Sequence, residues 1–447
     1  MNLISQIPII GNLTVTLIAF VFVIGVVIFV HEYGHYIVGR WRGIHAETFS
    51  LGMGPVIYSR VDKRGTRWQV AAIPLGGYVK FLGDRNAASF ADDEAVAGMN
   101  AYDRSRSFPA ASILSRSLTV LAGPVANFLL SIVLFAGLIM WQGFLTDQPT
   151  FGKIADLPGK VQVLEGDEIV ELNGLPVASY EDLSTAMAAR DGDGYMDIVV
   201  ERDGTLISLN IPSFEMPLVS SIVPLSAAEK AGMMPGDFIL KIEGITPSSF
   251  SDLVTQIVKA QETEISLTVW RDGQEVMINI TPEIVDVINA DGTVSKIPRL
   301  GVSGGTYFVG ATETPPIWEA AWFGVNRTYG TITQSLDVIG LIFSGEISPK
   351  TLQGPVGIAQ ISGAVVKQSV LTFISLIAII STSIGMLNLF PIPILDGGHL
   401  MTYLYEAVRG RPPSPAFLNV FMSIGLALVL FLMVFTFYND IMRLFSA

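Results

Sequence analysis

A chain of 447 residues, half of them apolar and only 15% charged, with a mean hydropathy of +0.52, must hold long stretches that never meet water, because soluble domains carry about a quarter charged residues. A net charge of −13 argues against a nucleic-acid partner. The absence of cysteine excludes disulfides, thiol nucleophiles and cysteine-bound zinc, so a metal would be held by nitrogen and oxygen donors, and the chain has only four histidines, His31, His35, His45 and His399.

Four segments reach the roughly 20 apolar residues that a bilayer span requires. They run from Leu13 to Val38, Ile113 to Trp141, Val370 to Phe390 and Ala416 to Phe437. Met1 to Thr16 holds no Lys or Arg and no A-x-A-like cleavage site follows the apolar run, so the first segment reads as a retained span, not a signal peptide. Between Gly39 and Arg116 there are 11 Lys/Arg against 7 Asp/Glu; from Gln142 to Gln368 there are 13 against 29. The positive-inside rule puts the basic loop in the cytoplasm and the acidic middle outside. Both chain ends then lie outside, and the first and third spans run in the same direction.

The basic loop reads as sheet, with Val56–Val61 and Thr66–Ile73 flanking a turn at Asp62–Gly65. The middle reads as a tandem repeat. Glu165-Gly-Asp-Glu-Ile-Val-Glu-Leu-Asn-Gly174 recurs as Pro235-Gly-Asp-Phe-Ile-Leu-Lys-Ile-Glu-Gly244, and Arg202-Asp-Gly204 recurs as Arg271-Asp-Gly273. Each unit carries a helical stretch, Asp182 to Arg190 and Asp252 to Ala260, and closes on two strands around an Asp-Gly turn. The expected order is a first span (1–38), a cytoplasmic loop with β-strands (39–112), a second span (113–141), two small α+β domains (142–213 and 214–284), an outer linker (285–369) whose Pro315–Ser344 stretch is helix either along the membrane surface or packed on the outer domains, a third span and its polar end (370–396), a cytoplasmic loop (397–415) and a fourth span with the C-terminus (416–447). The fold class is thus an α-helical polytopic membrane protein of four spans, with a cytoplasmic-side β-hairpin region and two tandem α+β domains outside.

The first span ends in Val30-His31-Glu32-Tyr33-Gly34-His35. Residues four apart share a helix face, so both imidazoles can reach one ion, while Glu32, about 100° around, can take a proton from a water at that ion. Ionisable side chains cost about 2.5–3.5 kcal/mol each at mid-membrane on insertion scales, and here three fall within five residues. The plainer alternative is a helix end whose polar residues face headgroup water. A catalytic zinc usually takes three protein ligands. The third span ends in Asn388-Leu-Phe-Pro-Ile-Pro-Ile-Leu-Asp396-Gly-Gly-His399, where two prolines break the helix and the glycines permit close approach. Asp396 is the best third donor, His399 the competitor and His45, at the start of the basic loop, the weakest; Asp396 would otherwise be an N-cap.

Taken together, His31-Glu-Tyr-Gly-His35, the Asn388 to Gly397 segment and the two repeats, PDZ-like in pattern, resemble the site-2 protease family in its bacterial branch, over nearly the whole chain and in the expected order. The resemblance implies an intramembrane zinc metalloprotease with Zn2+ on His31, His35 and Asp396 and Glu32 as catalytic base. It implies that Asn388 holds substrate near the zinc, and it suggests a role for Asn127 of Gly123-Pro-Val-Ala-Asn127, which otherwise only bonds between helices. The first repeat is the weaker PDZ match, lacking the Ala-Ala-x-x-Ala-Gly pattern of Ala227 to Gly232. The implied substrate is a single-span membrane protein, such as an anti-sigma factor already trimmed outside, cleaved at the bacterial inner membrane. A helical peptide bond is shielded, so the substrate must unwind and could then add to a strand edge of the basic loop. Gly52, Gly54, Gly76 and Gly77 would let backbones approach, or serve only as turns. The PDZ-like pair would filter substrates by size or bind peptide C-termini. A membrane scaffold with a vestigial His pair and a metal transporter are the other classes, although Glu32 and Asp396 stand nearly alone as intramembrane carboxylates.

Overall fold

The computed structural model describes residues 8–84, 98–189, 194–289 and 293–446, so the part of the expected first span before residue 8, the loop segment 85–97, Arg190 and Ala447 lie outside the described residues. The chain divides into two units, residues 1–138 with 317–447, and residues 139–316.

In the first unit, four helices among the described residues are long and apolar enough to cross a membrane: Leu13–Trp41, Ile113–Gln142, Val370–Asn388 and Pro415–Arg443. They belong to α1 (Pro8–Trp41), α2 (Ile113–Gln142), α5 (Val370–Asn388) and α7 (Pro415–Ser446). Between α2 and α5 in the same unit come α3 (Ile317–Ser344) and α4 (Pro355–Gln368), and α6 (Asp396–Arg409) follows α5.

The second span, α2, is the hub of this unit. In hydrocarbon no hydrophobic force draws helices together, so they pack through small residues and interhelical hydrogen bonds. A Cβ at Gly34 of α1 would strike the Ala122 carbonyl, and one at Gly324 of α3 the Ile132 carbonyl; at Gly385 of α5 it would lie 3.1 Å from the Pro124 carbonyl. Hydroxyls fasten the last pair: Ser381 donates to the Asn127 carbonyl at 2.9 Å, Ser131 to the Ala378 carbonyl at 2.6 Å, and Thr382 bonds Ser131 at 2.8 Å. The apolar stretch from Pro315 to Ser344 forms α3, which buries Ala320, Gly324 and Thr328 and packs by Gly324 on the second span. The fourth span is tied down near its end, where the buried Asp440 accepts the Gly354 and Gly357 N–H groups at 3.0 and 2.9 Å and so caps α4 from another helix.

The loop after α1 carries more strand than its sequence suggests. β1 (Ala46–Val61) and β2 (Arg67–Phe81) pair antiparallel, and Thr48–Leu51 find partners both in Gly77–Lys80 and in Arg67–Val70, while Tyr58–Val61 also meet Arg67–Val70. Two bent strands therefore build a sheet four stretches wide. Gly52 and Gly54, with φ of 90° and 83°, make the bend without ending the pairing. Phe49, Val79 and Phe81 of this sheet close a core with Tyr36 of α1 and Val120 of α2, which fixes the sheet against the spans.

The second unit holds two sets of three strands, one in each of the stretches expected to repeat. Strands β3 (Glu168–Leu172), β4 (Tyr195–Arg202) and β5 (Thr205–Pro212) are matched by β6 (Phe238–Ile242), β7 (Ile265–Arg271) and β8 (Gln274–Ile280). In each half a serine caps the helix, Ser179 for Tyr180–Ala188 and Ser249 for Phe250–Ala260. In each half a buried aspartate, Asp167 or Asp237, takes a two-pronged arginine, Arg202 or Arg271, at 2.6–2.7 Å per prong. The expected boundary at residue 284 falls too early. Val302–Gly304 pairs with Val219–Ile222 and Phe308–Gly310 with Phe151–Ile154, so the chain returns to both halves before the membrane unit resumes. These strands are too short for alternation to register, but Leu300, Tyr307 and Phe308 are buried in the two cores.

Candidate metal centre

Near the end of α1, His31 and His35 lie one turn apart on the face toward α2, their rings edge to face at 4.7 Å. What lets two rings stand between the helix backbones is Gly123: a Cβ there would collide with His35 Nε2 and come within 2.9 Å of His31 Cε1. Asp396 arrives from the other end of the unit. The break after Asn388 folds back on itself, with Gly397 seated on the Leu389 and Phe390 carbonyls, and Ile394 held at φ 83°, a left-handed conformation costly for a β-branched residue.

The three side chains converge. His31 Nε2 and His35 Nε2 are 3.2 Å apart; Asp396 Oδ2 lies 3.2 Å from the first and 3.5 Å from the second. Asp396 Oδ2 is buried and lacks an aligned hydrogen bond to either ring. Donor atoms on a tetrahedral zinc with bonds of about 2.0–2.1 Å stand about 3.3–3.4 Å apart, so this triangle has the size of one face of that tetrahedron. The protonation pattern agrees. His35 Nδ1 is 2.9 Å from the Thr119 carbonyl, which can only accept, so its proton sits on Nδ1 and the Nε2 lone pair faces the triangle. His31 Nδ1 is 3.3 Å from the Asn127 amide, whose Oδ1 is buried without a partner. Turning that amide over lets the oxygen accept from His31 Nδ1–H, satisfies the orphan and points the second Nε2 lone pair inward as well. Three converging lone pairs repel one another unless a cation sits among them, and the residues fit a zinc ion.

His31, Glu32, His35, Asp396, Asn388 and Gly77 line a single cavity of about 200 Å³. His399 lines it too but stands outside the donor triangle, which among the described residues comprises His31, His35 and Asp396 alone. His45 is elsewhere, beside Arg106. Gly77 is where the sheet meets the metal helix, because a Cβ there would lie 3.0 Å from Glu32 Cγ and 2.9 Å from the Ser50 carbonyl. Gly77–Phe81 is an edge stretch of the sheet, and Gly77, Tyr78, Val79 and Phe81 line the cavity together with Glu32. Gly52, Gly54 and Gly76 shape the sheet away from this cavity, and Asn127, fully buried, backs His31 and does not face the cavity. Sequence reading passed over Gly123 and Thr119. The Gly-Pro beside Asn127 was the available signal for the first, whereas a backbone acceptor such as Thr119 leaves no trace in residue type.

Comparison with known proteins puts this arrangement in a class. The sequence profile of peptidase family M50 matches residues 19–432. The chain belongs to that family, the site-2 proteases, and is a zinc metalloprotease of the membrane. It is 34% identical over 439 residues to a protein of Rhizobium meliloti assigned as a zinc metalloprotease, with 97% of this chain and 98% of the relative aligned. It is 32% identical to the regulator of sigma E protease of Haemophilus influenzae, over 95% of this chain and 98% of that one. It is 28% identical to the protease RseP of Yersinia pestis, over 96% and 99%.

Proposed function

We propose that His31, His35 and Asp396 hold the zinc and that Glu32 is the general base of a protease acting on single-span membrane proteins, in or near their membrane-spanning segment. An anti-sigma factor already trimmed outside the membrane is the substrate class that the resemblance suggests, with the chain in a bacterial inner membrane and its basic loop in the cytoplasm. The observation carrying this reading is the donor triangle of 3.2, 3.2 and 3.5 Å set beside Glu32. Bound zinc supplies Lewis-acid chemistry, polarising oxygen and easing the loss of a proton from water. Glu32, in the cavity wall, takes the proton from the attacking water and returns it to the amine as the peptide bond breaks.

A substrate helix must unwind to expose its carbonyl, and the edge stretch Gly77–Phe81 offers it backbone partners beside Glu32. Gly77 keeps that approach open, Gly52 and Gly54 give the sheet its bend, Gly76 leaves room for the Met53 side chain, and the Asn388 amide in the cavity wall bonds the opened backbone. The duplicated outer domains, PDZ-like in sequence pattern, would exclude substrates with bulky outer parts; capture of free peptide C-termini is the second use of such a fold.

Full-length protein in detergent tests this. Wild type and Glu32→Gln should each carry about one zinc per chain, and only wild type should cut a single-span substrate. Zinc absent from both would remove the triangle as the metal site. Cleavage by Glu32→Gln at the wild-type rate would remove Glu32 as base.

A further inference from the structure

The histidine left aside for zinc sits in a second cavity. α1 ends with Arg40 in its last turn and Trp41 largely exposed, the kind of residues that sit at the headgroup level of a bilayer. There a cleft of about 390 Å³ is walled by Arg40, His45, Arg64, Thr66 and Arg106. These come from the end of the metal helix, the start of the basic loop, the turn between β1 and β2, and the segment leading to α2.

Every charged side chain in the walls is an arginine. Among the described residues, none of the three guanidinium groups lies within 4.0 Å of a carboxylate, unlike Lys80 with Glu47 and Arg116 with Glu406. Arg40 is steadied by the Tyr36 hydroxyl at 2.9 Å, and Arg106 by the Tyr102 hydroxyl at 2.9 Å and by His45 Nδ1 at 3.0 Å. A guanidinium can only donate, so His45 Nδ1 accepts and the imidazole proton is on Nε2, which has no hydrogen-bond partner among the described residues. Burial, and then the charge of Arg106, hold the His45 imidazole below its usual pKa, as expected in a cationic surrounding. The neighbouring carboxylates Asp62, Glu47 and Asp103 act on His45 only through space, as Asp62 does on Arg40, and their oxygens are bonded elsewhere: Asp62 accepts from the Arg64 and Thr66 N–H groups and from the Trp68 indole, Glu47 pairs with Lys80, and Asp103 bonds Asn100. Three unpaired arginines and an imidazole donor facing one space form a receptor for a multivalent oxyanion, because guanidinium matches phosphate two bonds at a time.

We infer that this cleft binds a phosphate group, either the headgroup of an anionic phospholipid or a soluble phosphate. Bound there, the phosphate joins the end of the metal helix to the turn of the sheet whose opposite edge lines the metal cavity. Such basic pockets at the ends of spans select anionic over zwitterionic lipid.

The test uses the full chain in nanodiscs of phosphatidylcholine with or without phosphatidylglycerol, and counts lipids retained by native mass spectrometry. Wild type should retain phosphatidylglycerol in preference to phosphatidylcholine, and the Arg64→Gln, Arg106→Gln double variant should bind it about tenfold or more weakly. Arg411→Gln, an exposed arginine that does not line the cleft, should behave as wild type. Inorganic phosphate titrated into the phosphatidylcholine discs separates the sources: saturable binding that the double variant loses assigns the cleft to a soluble phosphate, and retention of phosphatidylglycerol alone assigns it to lipid. Equal retention by wild type and the variant, or no binding of either ligand, would overturn the inference. Zinc content reports folding throughout, and because Arg64 stands exposed in a turn, Arg64→Gln alone carries the test should the double variant misfold.

Discussion

Gly123→Ala adds one methyl group to α2, and the structure decides what that does. His31 Cε1 would be 2.9 Å from the new carbon, and His35 Nε2 closer still. Ordinary contact is about 3.5 Å, so His31 must withdraw by about 0.6 Å and His35 by more. Neither has room, since His35 is bonded to the Thr119 carbonyl and His31 to Asn127. Metal sites tolerate displacements of about 0.2 Å, so at least one imidazole leaves the triangle. The zinc affinity should then fall by more than the roughly 10–100-fold that loss of an orienting contact costs, and cleavage should fall with it. Gly137→Ala is the control. It makes the same change in the same helix, where nothing lies within 4 Å of the added carbon. Alanine is the better helix former by about 1 kcal/mol, so this variant should be no less stable than wild type. Zinc affinity would be read by competition against a chelator of known strength, and activity by cleavage of a single-span substrate. Wild-type zinc affinity in Gly123→Ala would refute the geometry on which the metal centre is built.

Asn127→Leu should weaken zinc binding by about 10–100-fold, because His31 loses the partner that orients it; Asn127→Asp, which can still accept from His31 Nδ1–H, should recover most of that loss in the same competition assay. Asp237→Ala leaves the Arg271 guanidinium, only 21% exposed, without its carboxylate partner and should destabilise the second unit by about 3 kcal/mol, the low end for breaking a buried pair, while zinc content stays unchanged; hydrogen exchange confined to residues 139–316 would show it. In the other half, burial raises the Asp167 carboxyl but the Arg202 fork and the Leu164 N–H outweigh it and hold it below the usual carboxylate range. Since its folded pKa lies under the unfolded value of about 3.9, Asp167 contributes stability that is complete above that pH and lost as pH falls through the folded value. Arg202→Gln should therefore raise the pH midpoint of acid unfolding, followed by tryptophan fluorescence; an unmoved midpoint would contradict the assignment.

The spans were legible because 20 apolar residues in a row have few other solutions, and each predicted span falls on an observed helix to within a few residues. His31, Glu32 and His35 were legible because helical periodicity alone sets three side chains over five residues. Less of the sheet could be read. Gly52, Gly54, Gly76 and Gly77 resemble turn residues in sequence, yet they sit within or between continuing strands, since whether a glycine bends a strand or ends it depends on the partner it finds. The returning strands at Val302–Gly304 and Phe308–Gly310 were hidden for a similar reason, being defined by pairing with residues some 80 to 160 positions earlier.

The amino-acid sequence by itself determined which four segments are long and apolar enough to cross a bilayer, that two stretches of its middle share a pattern, and that a His-Glu-x-x-His turn lies near the end of the first of those segments, since all three rest on local periodicity or composition. Only the tertiary structure groups Asp396, and neither His399 nor His45, with His31 and His35 as donors that could hold one metal ion. All three are chemically able to bind a metal, and the choice turns on the fold-back after Asn388, which brings Asp396 Oδ2 to 3.2 Å from His31 and leaves His399 on the cavity wall. The tertiary structure likewise turned Gly123 from an ordinary helix residue into the space the two imidazoles occupy. A convergence of side chains distant in sequence is set by backbone packing, and no local pattern of residue types encodes it.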